Sequence, residues 1–160
     1  MSQHTAIIRW ERKEEGFLSG KYSREHTWIF DGGAVVAASA APTNVPAPFS
    51  NPANVDPEEA FVAAISSCHM LWFLYLASRE GFQLDRYEDP AIGRMTPNEK
   101  GVKWVSQVVL RPRIDWSGAK RPSAMDVERL HHQAHEQCFI ANSVKTEILV
   151  EARQEGQCGT

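Results

Sequence analysis

The most reactive side chains in this 160-residue sequence are its cysteines, Cys68, Cys138 and Cys158. None stands in a Cys-x-x-Cys pair, so the sequence suggests neither a zinc ribbon nor a disulfide framework, and an odd cysteine count fits a reducing compartment, the cytoplasm. Cys68 lies within the apolar run AAISSCHMLW and is the candidate nucleophile. A thiol inside an apolar helix is ordinarily inert, because burial disfavours the thiolate and the helix dipole acts only over the first turn. Reactivity at Cys68 therefore requires an added cation; without one, Cys68 is a small core residue.

The helix that must carry Cys68 has a legible start. Asp56-Pro57-Glu58-Glu59 offers an N-cap aspartate, a proline at the first helical position and a glutamate three residues after the cap. Asp56 and Glu59 thus form a capping-box pair, which leaves Glu58 free. At about 100° per residue, Glu59 falls about 180° around the helix from Cys68 and Glu58 only about 80° away. Ten residues of helix also rise about 15 Å, too far for a direct contact within one chain. Glu58 therefore serves the Cys68 face through a bridging group, or serves a neighbouring subunit.

The surrounding elements follow from periodicity and turn chemistry. TAIIRW reads as a strand, ERKEEGFLSGKYSRE as a polar loop, and HTWIF and AVVAAS as a hairpin joined by Asp31-Gly32-Gly33. Residues 41–57 hold five of the nine prolines and form an extended connector. From Glu58 to about Glu80 the pattern is helical and apolar on nearly every face, which predicts a helix buried all round. VKWVSQVVL reads as a strand running on into Arg111-Pro112-Arg113-Ile114, followed by a loop DWSGAKRP. Pro122 suits a first helical turn, and Ser123 to Gln137 reads as an amphipathic helix with Met125, Leu130 and Ala134 on one side. VKTEILVEA alternates as a final strand before a polar, flexible tail, residues 153–160, which carries Cys158. The order is α+β, one domain over residues 1–152. An all-round apolar helix is hard to cover with one small sheet, which points to a dimer sharing its helices.

Composition narrows the function. With 42% hydrophobic and 23% charged residues the chain is a folded globular protein, and a formal charge of −3 supplies no basic field for nucleic acid. The 19 uncharged residues between Glu59 and Arg79 are long enough to cross a bilayer, yet Ser66-Ser67-Cys68-His69 sits at their centre and no basic cluster flanks them, so a core helix is preferred to a membrane span. The opening MSQHTAIIRW has no signal-peptide pattern.

DPEEAFVAAISSCHM together with AHEQCFIANSVKTEI resembles the OsmC/Ohr family of thiol-dependent peroxidases over residues 5–150. The resemblance implies an OsmC-like fold, antiparallel sheets wrapped around a long central helix, in an intertwined homodimer with two sites at its interface. It implies that Cys68 is the peroxidatic cysteine, Cys138 the resolving cysteine, and Glu58 the acid that orients an arginine. Arg24, in KYSREH, is the best positional match for that arginine, with Arg9 and Arg12 as alternatives. The expected substrate is an organic hydroperoxide, or hydrogen peroxide, and the reductant an external dithiol; no cofactor is implied. Phe-Ile-Ala-Asn after Cys138, where Pro-Val-Ser-Asn is commoner, and His69 after Cys68 bear on substrate preference.

Other readings carry their own residues. Met70, Leu71, Trp72 and Phe73 could favour an organic hydroperoxide, and would look the same as ordinary core. His131-x3-His135-x2-Cys138 has the spacing of metal ligands, and would compete with a resolving role for Cys138. A Cys68–His69 hydrolase pair is disfavoured because sequential helix residues point about 100° apart. A non-enzymatic dimeric thiol redox sensor or small-molecule-binding protein of the same fold is the remaining alternative.

Overall fold

The computed structural model describes residues 1–152, which fall into two compact units, 1–60 and 61–152. Cys158 and the expected tail lie outside the described residues.

The first unit is an antiparallel meander of β1 (Ala6–Arg9), β2 (His26–Phe30) and β3 (Val35–Ala38). The Asp31–Gly33 turn closes as the sequence predicts: Gly33 has φ of 85°, a value that favours glycine, and donates its N–H to Phe30 at 2.9 Å. The proline-rich connector is tied down by backbone bonds. Val55 donates to the Ala37 carbonyl and Ser39 to the Val55 carbonyl, both at 3.0 Å, and the buried Ser39 hydroxyl accepts the Asn51 N–H at 3.0 Å. In the loop before β2, Trp10, Phe17 and Tyr22 pack ring on ring at 4.8–5.6 Å.

Helix α1 (Pro57–Arg79) starts where the capping residues dictate. Glu59 donates its N–H to Asp56 Oδ1 at 2.8 Å, and Asp56 donates its N–H to Glu59 Oε2 at 3.2 Å. α1 is long and apolar enough to cross a membrane, but its buried stripe of Ile65, His69, Phe73 and Ala77 packs inside protein as a core helix does. The helix is not buried all round. Leu71 is 60% and Tyr75 52% exposed, because one chain supplies cover for one face only.

The second unit adds β4 (Gln83–Glu88), β5 (Ile92–Pro97), β6 (Lys103–Leu110), β7 (Arg113–Ser117), α2 (Ala124–Gln137) and β8 (Glu147–Val150). β4 pairs β7 antiparallel; in a second sheet β5 pairs β6 antiparallel and β8 lies parallel to β6. One apolar cluster joins Phe73 and Ala77 of α1 to Phe82, Ile114 and to Leu130 and Ala134 of α2; a second joins Ile65 to Val108 and Leu110.

Four local expectations are corrected. The strand expected to continue through Arg111-Pro112-Arg113 breaks there, since Pro112 has no N–H for the ladder, and the chain resumes as β7 in the other sheet. Asp115–Ser117, expected as loop, is part of β7. Met125 is 79% exposed, because it stands five residues and about 140° around α2 from Leu130. Pro122 lies just ahead of α2: Ser123 is its N-cap, in a reciprocal box with Asp126.

Candidate functional site

α1 and α2 bring Cys68 and Cys138 together. Cys68 sits in the middle of α1 and is partly exposed; Cys138 is the C-cap of α2 and 1% exposed. The two free thiols are neighbours, near enough for Cys68 to bear on the protonation of Cys138. Cys138 Sγ accepts the Ala141 N–H at 3.3 Å. Burial first, and then the nearby Cys68 thiol, push the Cys138 thiol up to about 11, so it keeps its proton at neutral pH. The arrangement is asymmetric: one accessible sulfur beside one buried, protonated sulfur.

The segment after Cys138 fixes that sulfur. Asn142 donates its side-chain amide to the Glu136 and Cys138 carbonyls, both at 2.9 Å, and its N–H to the Cys138 carbonyl at 3.0 Å. The end of α2 is thereby closed by a side chain. One turn beyond Cys68, Trp72 meets Phe139 edge to face at 5.6 Å, and Phe139 is 71% exposed. Of the apolar residues next to Cys68, Phe73 is core while Leu71 faces outward.

Arg24 and Glu58 belong to the first unit. Arg24 Nη1 donates to the Gly20 carbonyl at 3.0 Å and the Tyr22 carbonyl at 2.5 Å, and its guanidinium lies 3.7 Å from the Tyr22 ring centroid. Glu58 Oε1 accepts from Asn44 Nδ2 at 3.2 Å. Arg9 ends β1 and Arg12 follows it, both exposed.

Two features escaped sequence reading. Asp89, between β4 and β5, accepts the Ser66 hydroxyl and the Arg111 N–H, which ties α1 to the strands two residues before Cys68. His69 is 1% exposed and its Nε2 lies 3.0 Å from Nδ1 of His131 on α2, which is 4% exposed. Burial lowers His69 to about 4, helped by His135, and lowers His131 to about 3, helped by His69. The contact is sixty-two residues apart in sequence, and no local spacing encodes it. It engages His131 with His69 rather than with His135 and Cys138, and no group of three or more potential ligands is disposed to hold a metal among the described residues.

The model of the OsmC-like protein family matches residues 50–153. An OsmC-like protein of unknown function from Vibrio cholerae is 52% identical, with 96% of this chain and 100% of that chain covered at a TM-score of 0.93. The organic hydroperoxide resistance protein OsmC of Legionella pneumophila is 15% identical, with 95% and 96% covered and a TM-score of 0.67. That of Bacillus subtilis is 16% identical, with 95% and 98% covered and a TM-score of 0.66. The last two likenesses are of fold. A search of curated protein sequences finds no match.

Proposed function

Since the chain belongs to the OsmC-like family, we propose that it is a thiol-dependent peroxidase that reduces organic hydroperoxides through Cys68 and Cys138. The single observation that carries this reading is the placing of a partly exposed Cys68 beside a buried, protonated Cys138. Proteins of the same fold named for organic hydroperoxide resistance support the substrate class.

In this reading the Cys68 thiolate attacks the terminal peroxide oxygen. The O–O bond breaks, the leaving alkoxide takes a proton and departs as the alcohol, and Cys68 is left as a sulfenic acid. The Cys138 sulfur then attacks the Cys68 sulfur. The S–S bond forms, the sulfenic hydroxyl and the Cys138 proton leave as water, and Cys68 is protected from over-oxidation. An external dithiol supplies two electrons to reopen the bridge.

The thiolate needs a cation, and Arg24 is the residue we assign, with Glu58 to hold its planar fork. Both belong to a homodimer with sites at its interface, working in the cytoplasm. The exposed Leu71 and Tyr75 on the face of α1 opposite its buried stripe support such a partner.

The test is intact-mass analysis of the reduced protein before and after one equivalent of cumene hydroperoxide, with peptide mapping. A loss of two hydrogens mapped to a Cys68–Cys138 bridge is expected. An unchanged mass would remove the peroxidase reading and favour a binding protein of the same fold.

A further inference from the structure

We propose that the His69–His131 hydrogen bond is a positioning device that holds α1 and α2 in the one register at which the Cys68 and Cys138 sulfurs can close their disulfide. The proposal rests on the reading of these cysteines as the redox pair.

The histidine pair and the cysteine pair lie between the same two helices, and the histidine pair is hydrogen-bonded. On α1 they start from consecutive residues, 68 and 69; on α2 they end seven residues apart, at 131 and 138. Seven residues are two turns of helix, about 10.5 Å. The histidine bond thus fixes α1 against α2 one residue from Cys68 and two turns from Cys138.

Phe73, Ala77, Leu130 and Ala134 are apolar, and apolar attraction has no direction. The histidine N–H···N bond, 3.0 Å long, is directional and holds only over a narrow range of length and angle. His131 is also held in its plane, with its ring 5.3 Å from that of His69 at 10° and 4.3 Å from that of Phe73 at 26°. Since both imidazoles stay neutral near pH 7, a single N–H between them persists there.

Stability alone gives a poor account of the pair. Among the described residues, His69 Nδ1 and His131 Nε2 have no protein hydrogen-bond partner. Two leucines would fill such a space with no polar atom to satisfy. A buried polar contact between packed helices can specify their register at a cost in stability.

Disulfide closure is the step that needs such precision. It requires an S–S length of about 2.05 Å and a Cβ–Cβ separation of about 3.5–4.5 Å. Attack of Cys68 on a diffusing peroxide makes no demand on where Cys138 stands.

The experiment separates the two steps. Wild type, His131→Leu and His131→Asn are mixed rapidly with cumene hydroperoxide; sulfenic acid is trapped with dimedone and disulfide is followed by quenched-flow mass analysis. His131→Leu should form sulfenic acid within about two-fold of the wild-type rate and close the disulfide at least about ten-fold more slowly, the order expected from a misplacement approaching 1 Å. His131→Asn, whose amide can stand where Nδ1 stood, should recover closure to within about three-fold. His69→Leu and His69→Gln should repeat the split from the α1 side, and provide it if a His131 variant fails to fold. Closure at the wild-type rate in the leucine variants, or an equal loss of both steps, would overturn the proposal. Absence of the disulfide in the wild type would instead remove the redox reading on which it stands.

Discussion

Ser66 donates its hydroxyl to Asp89 Oδ2 at 2.5 Å, while the other oxygen of the same carboxylate receives the Arg111 N–H at 2.6 Å. One side chain thus ties the α1 turn that carries Cys68 to the point where β6 ends. Asp89→Ala leaves a partly buried hydroxyl and a backbone N–H unpaired at once. The expected loss is about 2–3 kcal/mol in urea unfolding, with Asp89→Asn retaining part of it. A loss below about 0.5 kcal/mol would show that solvent replaces the carboxylate there.

Gly93 of β5 stands where α1 crosses closely: a Cβ built on it would lie 2.5 Å from Val62 Cγ2. Val62 is β-branched and stiff at χ1, so helix or strand must shift to admit a methyl group. Gly93→Ala should lower stability by about 1–3 kcal/mol, and Val62→Ala in the same chain should return most of it. The check is a double-mutant cycle by urea unfolding, and additive losses would remove the steric account.

What the sequence makes legible follows from how far apart the determinants lie. The start of α1 is written in four consecutive residues, Asp56 to Glu59, and the hairpin turn in Asp31–Gly33; both are found as expected. The two cysteines stand out by residue type, and their meeting was implied by resemblance. β4 and β5 were not individually legible, because QLDRYE and IGRMTP carry no apolar alternation and one includes the contact glycine. The His69–His131 bond and the Asp89 brace were equally hidden. Each joins residues more than twenty apart, and each side chain alone has an ordinary surface reading.

The buried histidines give stability a defined pH dependence. In the fold His69 is lowered to about 4 and His131 to about 3, against an ordinary value of 6.5 in the unfolded chain. Between those values and 6.5 the unfolded chain binds more protons, so stability rises with pH through this window and is lost as pH falls. From pH 7 to pH 5 each histidine should remove about 2 kcal/mol. Urea unfolding of wild type and of the His69→Leu/His131→Leu double variant checks this. The variant should lose less than wild type over the same interval, and parallel losses would place the acid sensitivity elsewhere.

The two cysteines should fail in different ways because their environments differ. Cys68 is the accessible sulfur, so Cys68→Ser should abolish peroxide consumption, a fall of at least about a thousand-fold, since serine lacks a comparable nucleophile near neutral pH. Cys138 is buried and keeps its proton, so in the proposed mechanism it takes no part in the first attack. Cys138→Ser should therefore consume one equivalent of hydroperoxide per Cys68 and then stall, with mass gains of one, two or three oxygens on the Cys68 peptide as excess oxidant is added. Full dithiol-driven turnover by Cys138→Ser would mean that an external thiol resolves the sulfenic acid directly, and the proximity of the two sulfurs would then need another purpose.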